Sequence, residues 1–117
     1  MSERNVTEKT LEYIEKHLEE DLSLDKIAET LNYSKFYMVR AFSKKTGTSI
    51  YQYIQRRRLE QAAEKLTETD MPIVRIAYEA RYNSQQAFTH AFRQKYFCSP
   101  QTYRRKHKSV GGERMAA

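Results

Sequence analysis

Tryptophan is absent from this 117-residue chain, cysteine occurs once, and glycine and proline supply only three and two residues. The lone Cys98 rules out an internal disulfide, so stability has to come from a packed core. The scarcity of glycine and proline removes the usual interruptions of helices. No apolar run approaches the roughly 20 residues that cross a bilayer, and no charged-then-apolar leader opens the sequence. A cytoplasmic protein without a membrane partner is expected. No glycine-rich phosphate loop is present, because Gly47, Gly111 and Gly112 lack a suitable context. His17, His90 and His107 fall on three different predicted helices, with no cysteine or carboxylate beside them to build a nucleophile, an acid–base pair or a zinc set. Asp21, Asp25 and Glu29 are spaced as caps and solvated acids. The expectation is therefore no enzyme, no catalytic residue, no metal and no cofactor.

What is present is helix-forming: Glu, Lys, Leu, Ala and Gln are plentiful, and no alternating strand pattern competes. Charge is divided along the chain. Residues 1–33 carry nine acidic and four basic side chains, a net −5, while residues 34–117 carry six and seventeen, a net +11. The basic part suits a polyanion, and the acidic opening is expected to face away from it.

The stretch SIYQYIQRRRLEQAAEKLT, residues 49–67, organises the rest. At roughly 100° per residue, Ile50, Tyr53 and Ile54 lie on one side, whereas Leu59, Ala62, Ala63 and Leu66 lie nearly opposite. A surface helix with one core keeps one apolar stripe. Two stripes on one helix predict that its first half closes one small core and its second half another, with Arg56, Arg57 and Arg58 exposed between them. At this length two lobes need such a shared element to bury enough apolar surface.

Around that rod the chain reads as about seven helices. Thr7 is expected to cap the first, running to about Glu20 with Leu11, Ile14 and Leu18 inward. Ser23 caps LDKIAETL, with Leu24, Ile27, Ala28 and Leu31 inward, and Asn32 tolerates the left-handed turn that ends it. Ser34 caps a third helix that buries Met38, Ala41 and Phe42 and stops at Gly47. After the rod, Asp70 and Pro72 start PIVRIAYEA. Ser84 then opens a helix burying Phe88, Ala91 and Phe92, and Ser99-Pro100 opens a strongly basic last one. Residues 109–117 are expected to form a disordered tail or the start of a linker. The division is a first subdomain at 7–48, a linker helix at 49–67 and a second subdomain at 68–108.

The two subdomains repeat. Ile27-Ala28 recurs as Ile76-Ala77 and Tyr33 as Tyr82, at an offset of 49; Ala41-Phe42 recurs as Ala91-Phe92, Ser49 as Ser99 and Tyr53 as Tyr103, at an offset of 50. One inserted residue, Asn83, accounts for the change. Each copy is a helix, a four-residue turn and a second helix, the pattern of a helix-turn-helix, with small Ala28 allowing close approach of the two helices.

The motifs SLDKIAETLNYSKFYMVRAFSKKTGTS, YIQRRRLEQAAEKL and PIVRIAYEARYNSQQAFTHAFRQKYFCSPQTYRR together resemble the DNA-binding domain of the AraC/XylS family of bacterial transcription regulators, nearest its MarA, SoxS and Rob group. The likeness covers about residues 7–106. It implies an all-α fold of two helix-turn-helix subdomains, and a monomer that sets two recognition helices in successive major grooves of double-stranded DNA. It also implies an activator that touches RNA polymerase, for which the acidic first helix is one available surface. The rod suits this geometry, since grooves repeat about every 34 Å and roughly 19 helical residues span about 28 Å. The sequence departs from the family pattern at the turn glycines, which are Asn32 and Arg81 here, and at Phe97, which stands where Gly47 stands in the first copy.

With Met38 and Phe42 turned inward, Lys35, Phe36, Val39, Arg40 and Ser43 face out of the third helix. Arg40 can bond a guanine edge twice, and Phe36 and Val39 suit thymine methyls. The same two apolar residues could instead cover an exposed part of the core. On the later recognition helix Gln85, Gln86, Thr89, His90 and Arg93 face out: glutamine can pair with adenine, threonine can touch a thymine methyl, and His90 stands where near relatives carry arginine. Ser34, Lys44, Lys45, Arg56, Ser84, Arg93, Arg104 and Arg105 are the candidate phosphate contacts. The competing reading of Arg56–Arg58 is a solvated face paired to Glu60 and Glu64.

Overall fold

The computed structural model describes residues 3–108, with side chains from Val6 onward. The tail expected at 109–117 lies outside these residues. Among the described residues seven α-helices follow one another: α1 Glu3–Lys16, α2 Leu24–Leu31, α3 Lys35–Thr46, α4 Ile50–Glu68, α5 Ile73–Glu79, α6 Gln85–Tyr96 and α7 Pro100–His107. The described residues contain no strand. The chain divides within α4 into two compact units, Met1–Arg57 and Arg58–Ala117.

In the first unit, Val6, Ile14 and Leu18 pack with Ile27, Ala28, Met38, Ala41, Phe42 and the Ile50 and Ile54 pair from the start of α4. In the second, Leu59, Ala62, Ala63 and Leu66 from the later half of α4 pack with Ile76, Ala77, Ala80, Phe88 and Phe92. The two stripes of α4 thus serve two cores, as the pattern of residues 49–67 predicts.

The start of the chain differs from its reading. The first helix begins at Glu3, and Val6 and Thr7 are already buried within it. Thr7 is not a cap. Thr10 returns its hydroxyl to the Val6 carbonyl at 2.9 Å, which is how a threonine satisfies itself inside a helix. The apolar pattern of α1 therefore extends one turn further back than the sequence suggested. The helix also ends earlier, at Lys16, with His17 bonded to Glu20 at 2.9 Å just beyond it. Pro72 occupies the cap position rather than the first turn of α5, and Asp70 pairs with Lys108 at 2.6 Å instead of serving α5.

The remaining caps form as expected. Ser23, Ser34, Ser84 and Ser99 each accept a backbone N–H three residues on, an arrangement worth about 1 kcal/mol apiece. Asn32 sits at φ 64° and Gly47 at φ 78°, both left-handed. Arg81 and Phe97 adopt the same region, at φ 69° and 64°.

The sequence repeat extends to side-chain geometry. The Tyr33 N–H reaches the Ala28 carbonyl at 2.9 Å, and the Tyr82 N–H reaches Ala77 at 3.1 Å. Phe42 meets Tyr53 edge-on at 5.8 Å, and their counterparts Phe92 and Tyr103 meet edge-on at 5.3 Å. Ala91 is half-buried rather than buried, and so is Cys98.

Candidate nucleic-acid interface

In each unit the second helix of the helix-turn-helix, α3 or α6, turns one face to its core and the other outward. α3 spans 12 residues, buries Met38, Ala41 and Phe42, and has no acidic residue in its first turn. α6 also spans 12, buries Phe88 and Phe92, and likewise opens without an acid. Both helix starts therefore keep the partial positive charge of the backbone dipole uncompensated from within the helix. Ser34 accepts from the Tyr37 N–H at 3.1 Å and Ser84 from the Ala87 N–H at 3.0 Å. Each bond uses a lone pair of the hydroxyl and leaves its proton available to an anionic oxygen, so cap and phosphate contact are compatible at these serines.

On α3, Phe36 stands 77% exposed, and Arg40 and Ser43 are exposed beside it. Val39 is half-buried and packs against the first core. Of the two readings open for Phe36 and Val39, the covering role thus fits Val39 alone. Lys35 holds Asp25 of α2 at 3.0 Å, so its charge is shared with a neighbouring acid. On α6, Gln85, Gln86, Thr89, His90 and Arg93 line one shallow, open groove. These are the five residues that face out of the helix in the sequence reading, and they form one continuous surface. Thr89 lies half-buried at its inner edge.

The candidate phosphate contacts divide. Lys44, Lys45, Arg93 and Arg105 are exposed. Arg56 is exposed too, with its guanidinium 5.3 Å from the centre of the Tyr53 ring. Arg104 is otherwise engaged: its Nε donates to the Leu66 carbonyl at 2.9 Å, and Nη2 donates to Thr69 at 3.2 Å and Met71 at 2.7 Å. It ties off the Leu66 carbonyl in the last turn of α4 and two carbonyls of the segment that follows. Nothing in the sequence signals this role, because Leu66 lies 38 positions away.

The arginine run also departs from its reading. Arg57 and Arg58 are half-buried. Arg57 grips Glu15 of α1 through two bonds, at 2.8 and 3.0 Å, while the Tyr53 hydroxyl donates to the same carboxylate at 2.6 Å. Lys95 approaches Glu60 at 3.8 Å. The Arg57 hydrogen bond holds the Glu15 carboxyl below the usual carboxylate range. Burial, and then the bond to Glu15, push the Tyr53 phenol up to about 12.

Among the described residues no three His, Cys, Asp or Glu side chains gather to hold a metal ion, and no helix is long and apolar enough to cross a membrane.

Two capped helix-turn-helix units, each with an acid-free recognition helix turned outward, are the architecture of a DNA-binding regulator. A family model described as a helix-turn-helix domain matches residues 27–106. The chain belongs to this family, the AraC-type DNA-binding transcription regulators, which are not enzymes. It is 40% identical over 108 residues to the multiple antibiotic resistance protein MarA of Escherichia coli K12, covering 89% of this chain and 85% of that protein. It is also 40% identical over 105 residues to the right origin-binding protein of the same organism, covering 90% of this chain but only 36% of that relative. The C-terminal domain of AraT, a response regulator from Geobacillus stearothermophilus, superposes with a TM-score of 0.85 at 33% identity, covering 94% of this chain and 92% of that one. A transcriptional regulator with an AraC-type DNA-binding domain from Chromobacterium violaceum gives 0.84 at 26%, covering 92% and 96%.

Proposed function

We propose that this protein is a cytoplasmic, sequence-specific transcription activator that binds double-stranded DNA as a monomer, with α3 and α6 in successive major grooves. Residues 7–48 and 68–108 act as reading heads and 49–67 as the spacer between them. The observation that carries the reading is the duplication: two helices with serine caps, no first-turn acid and an outward polar face, on a chain whose residues 34–117 carry a net +11.

In the first head Arg40 reads a guanine edge, Phe36 meets a thymine methyl, and Lys35 joins them when DNA displaces Asp25. In the second head Gln85 and Gln86 address adenine, with Thr89 and His90 beside them. Ser34, Ser84, Lys44, Lys45, Arg56, Arg93 and Arg105 meet phosphates and set register without reading sequence. RNA polymerase is the proposed second partner, approached by the acidic surface of α1 and the turn after it, around Glu12, Glu15, Glu19 and Glu20. Glu15 is partly committed to Arg57.

Selection of bound sequences from random duplexes tests this reading. An asymmetric site with two half-sites about one helical turn apart is the expected result, and binding should weaken steeply between 50 and 200 mM salt. A symmetric site bound by two copies would remove the monomer from the proposal, and failure to enrich any sequence would remove specific recognition.

A further inference from the structure

Phe97 is a residue the fold does not account for. It is 87% exposed, so its ring contributes almost no buried area, and its backbone is left-handed at φ 64°. A Cβ in that region is strained, which is why glycine usually occupies it. The first unit has glycine there: Gly47 closes α3 with its N–H on the Ser43 carbonyl at 2.8 Å, just as Phe97 closes α6 on Arg93 at 2.9 Å. The cap is therefore made equally well without a side chain. A strained backbone that carries an exposed aromatic points to a role outside the fold.

The location narrows that role. Gln86, His90, Arg93 and Phe97 are spaced by four, three and four residues, which puts them on one helical stripe. His90, Arg93, Gln94 and Phe97 line a shallow concavity that shares His90 and Arg93 with the groove of the reading residues. No Asp or Glu occurs between Gln85 and Phe97, so the surface beneath the ring is neutral to basic and suited to a polyanion rather than a basic protein.

We propose that Phe97 is a DNA contact that carries the reading surface of the second head past the end of α6. Its ring lies on apolar duplex surface, a thymine methyl or a deoxyribose, at the end of the half-site that the C-terminus of α6 approaches. This rests on the DNA-binding reading above. It also divides the two heads: the first places its exposed phenylalanine, Phe36, at the start of its recognition helix, and the second places Phe97 at the end.

The strain supplies a built-in control, because removing the side chain should move stability and affinity in opposite directions. On the duplex selected with the unaltered protein, Phe97→Gly is expected to bind about fivefold more weakly, as for loss of one apolar base contact. It should melt a few degrees higher, and its salt dependence should be unchanged because no charge is lost. Phe97→Asn, tolerated in the left-handed region, should show the same weakening, and Phe97→Leu should stay within about twofold. Replacing thymine by uracil at the affected end separates the two apolar sources: a loss confined to the unaltered protein assigns the methyl, and no loss assigns the sugar. Equal binding by Phe97→Gly and the unaltered protein overturns the inference while leaving the DNA-binding reading intact. If the unaltered protein selects no duplex, both fall together.

Discussion

Replacing Arg104 by alanine should weaken the second unit without altering how the protein responds to salt on DNA. The guanidinium is half-buried and donates to the carbonyls of Leu66, Thr69 and Met71. Hydrogen bonds involving a charged group are worth about 1.5–3 kcal/mol, but three of them on one side chain do not simply add. Lys108 also donates to Thr69 at 2.6 Å, so that carbonyl keeps a partner after truncation. The net loss works out at about 2–3 kcal/mol, a large share of the 5–15 kcal/mol that holds a domain of this size together.

Arg104→Lys retains the charge but has no planar fork, and should recover about a third of the loss. Urea unfolding followed by circular dichroism at 222 nm gives the stability change. Mobility shifts at several salt concentrations give the DNA response. A midpoint unchanged in Arg104→Ala, together with a salt slope smaller by about one, would show that this arginine contacts a phosphate and that its helix-end bonds contribute nothing.

Two further stability predictions concern pH and backbone. Glu15 has its carboxyl lowered by Arg57, so its contribution is complete above the ordinary carboxylate value of 4.5 and is lost as pH falls through the lowered one; Glu15→Gln should flatten the urea midpoint between pH 5 and pH 3. Tyr53 is shifted the other way, from 10.0 to about 12. Its contribution is present below pH 10 and should disappear as pH rises toward 12, and absorbance titration near 295 nm should lose a tyrosine step at about pH 12 in Tyr53→Phe. Arg81→Gly should stabilise by about 0.5–1 kcal/mol, since it relieves a left-handed non-glycine residue, whereas Gly47→Ala should cost about 1 kcal/mol. The cost at Gly47 is one of backbone alone, because no atom lies within 4 Å of where its Cβ would stand. A stabilised Gly47→Ala would overturn the strain argument for Phe97 as well. On DNA, Arg40→Ala should cost about 1–3 kcal/mol and relax preference at one base pair of the selected site; uniform weakening across all sequences would make Arg40 a phosphate contact instead.

The periodicity of residues 49–67 carried the architecture, because a helix repeats every 3.6 residues and its inward faces can be read from spacing alone. The serine caps, the left-handed Asn32 and Gly47, and the repeat at offsets of 49 and 50 were legible for the same reason: each depends on neighbours within a few positions. The groove of Gln85, Gln86, Thr89, His90 and Arg93 followed once Phe88 and Phe92 were turned inward. What required the folded chain was every interaction between residues far apart in sequence. Arg57 found Glu15 at a separation of 42, and Arg104 was drawn to the end of α4 from 38 positions away. Lys35 was met by Asp25, and Val39 was drawn toward the core. Local rules of helix geometry decide which face a side chain occupies, but the partner it finds there depends on the packing of another helix, and a charged side chain long enough to reach several partners carries no mark of which one it will take.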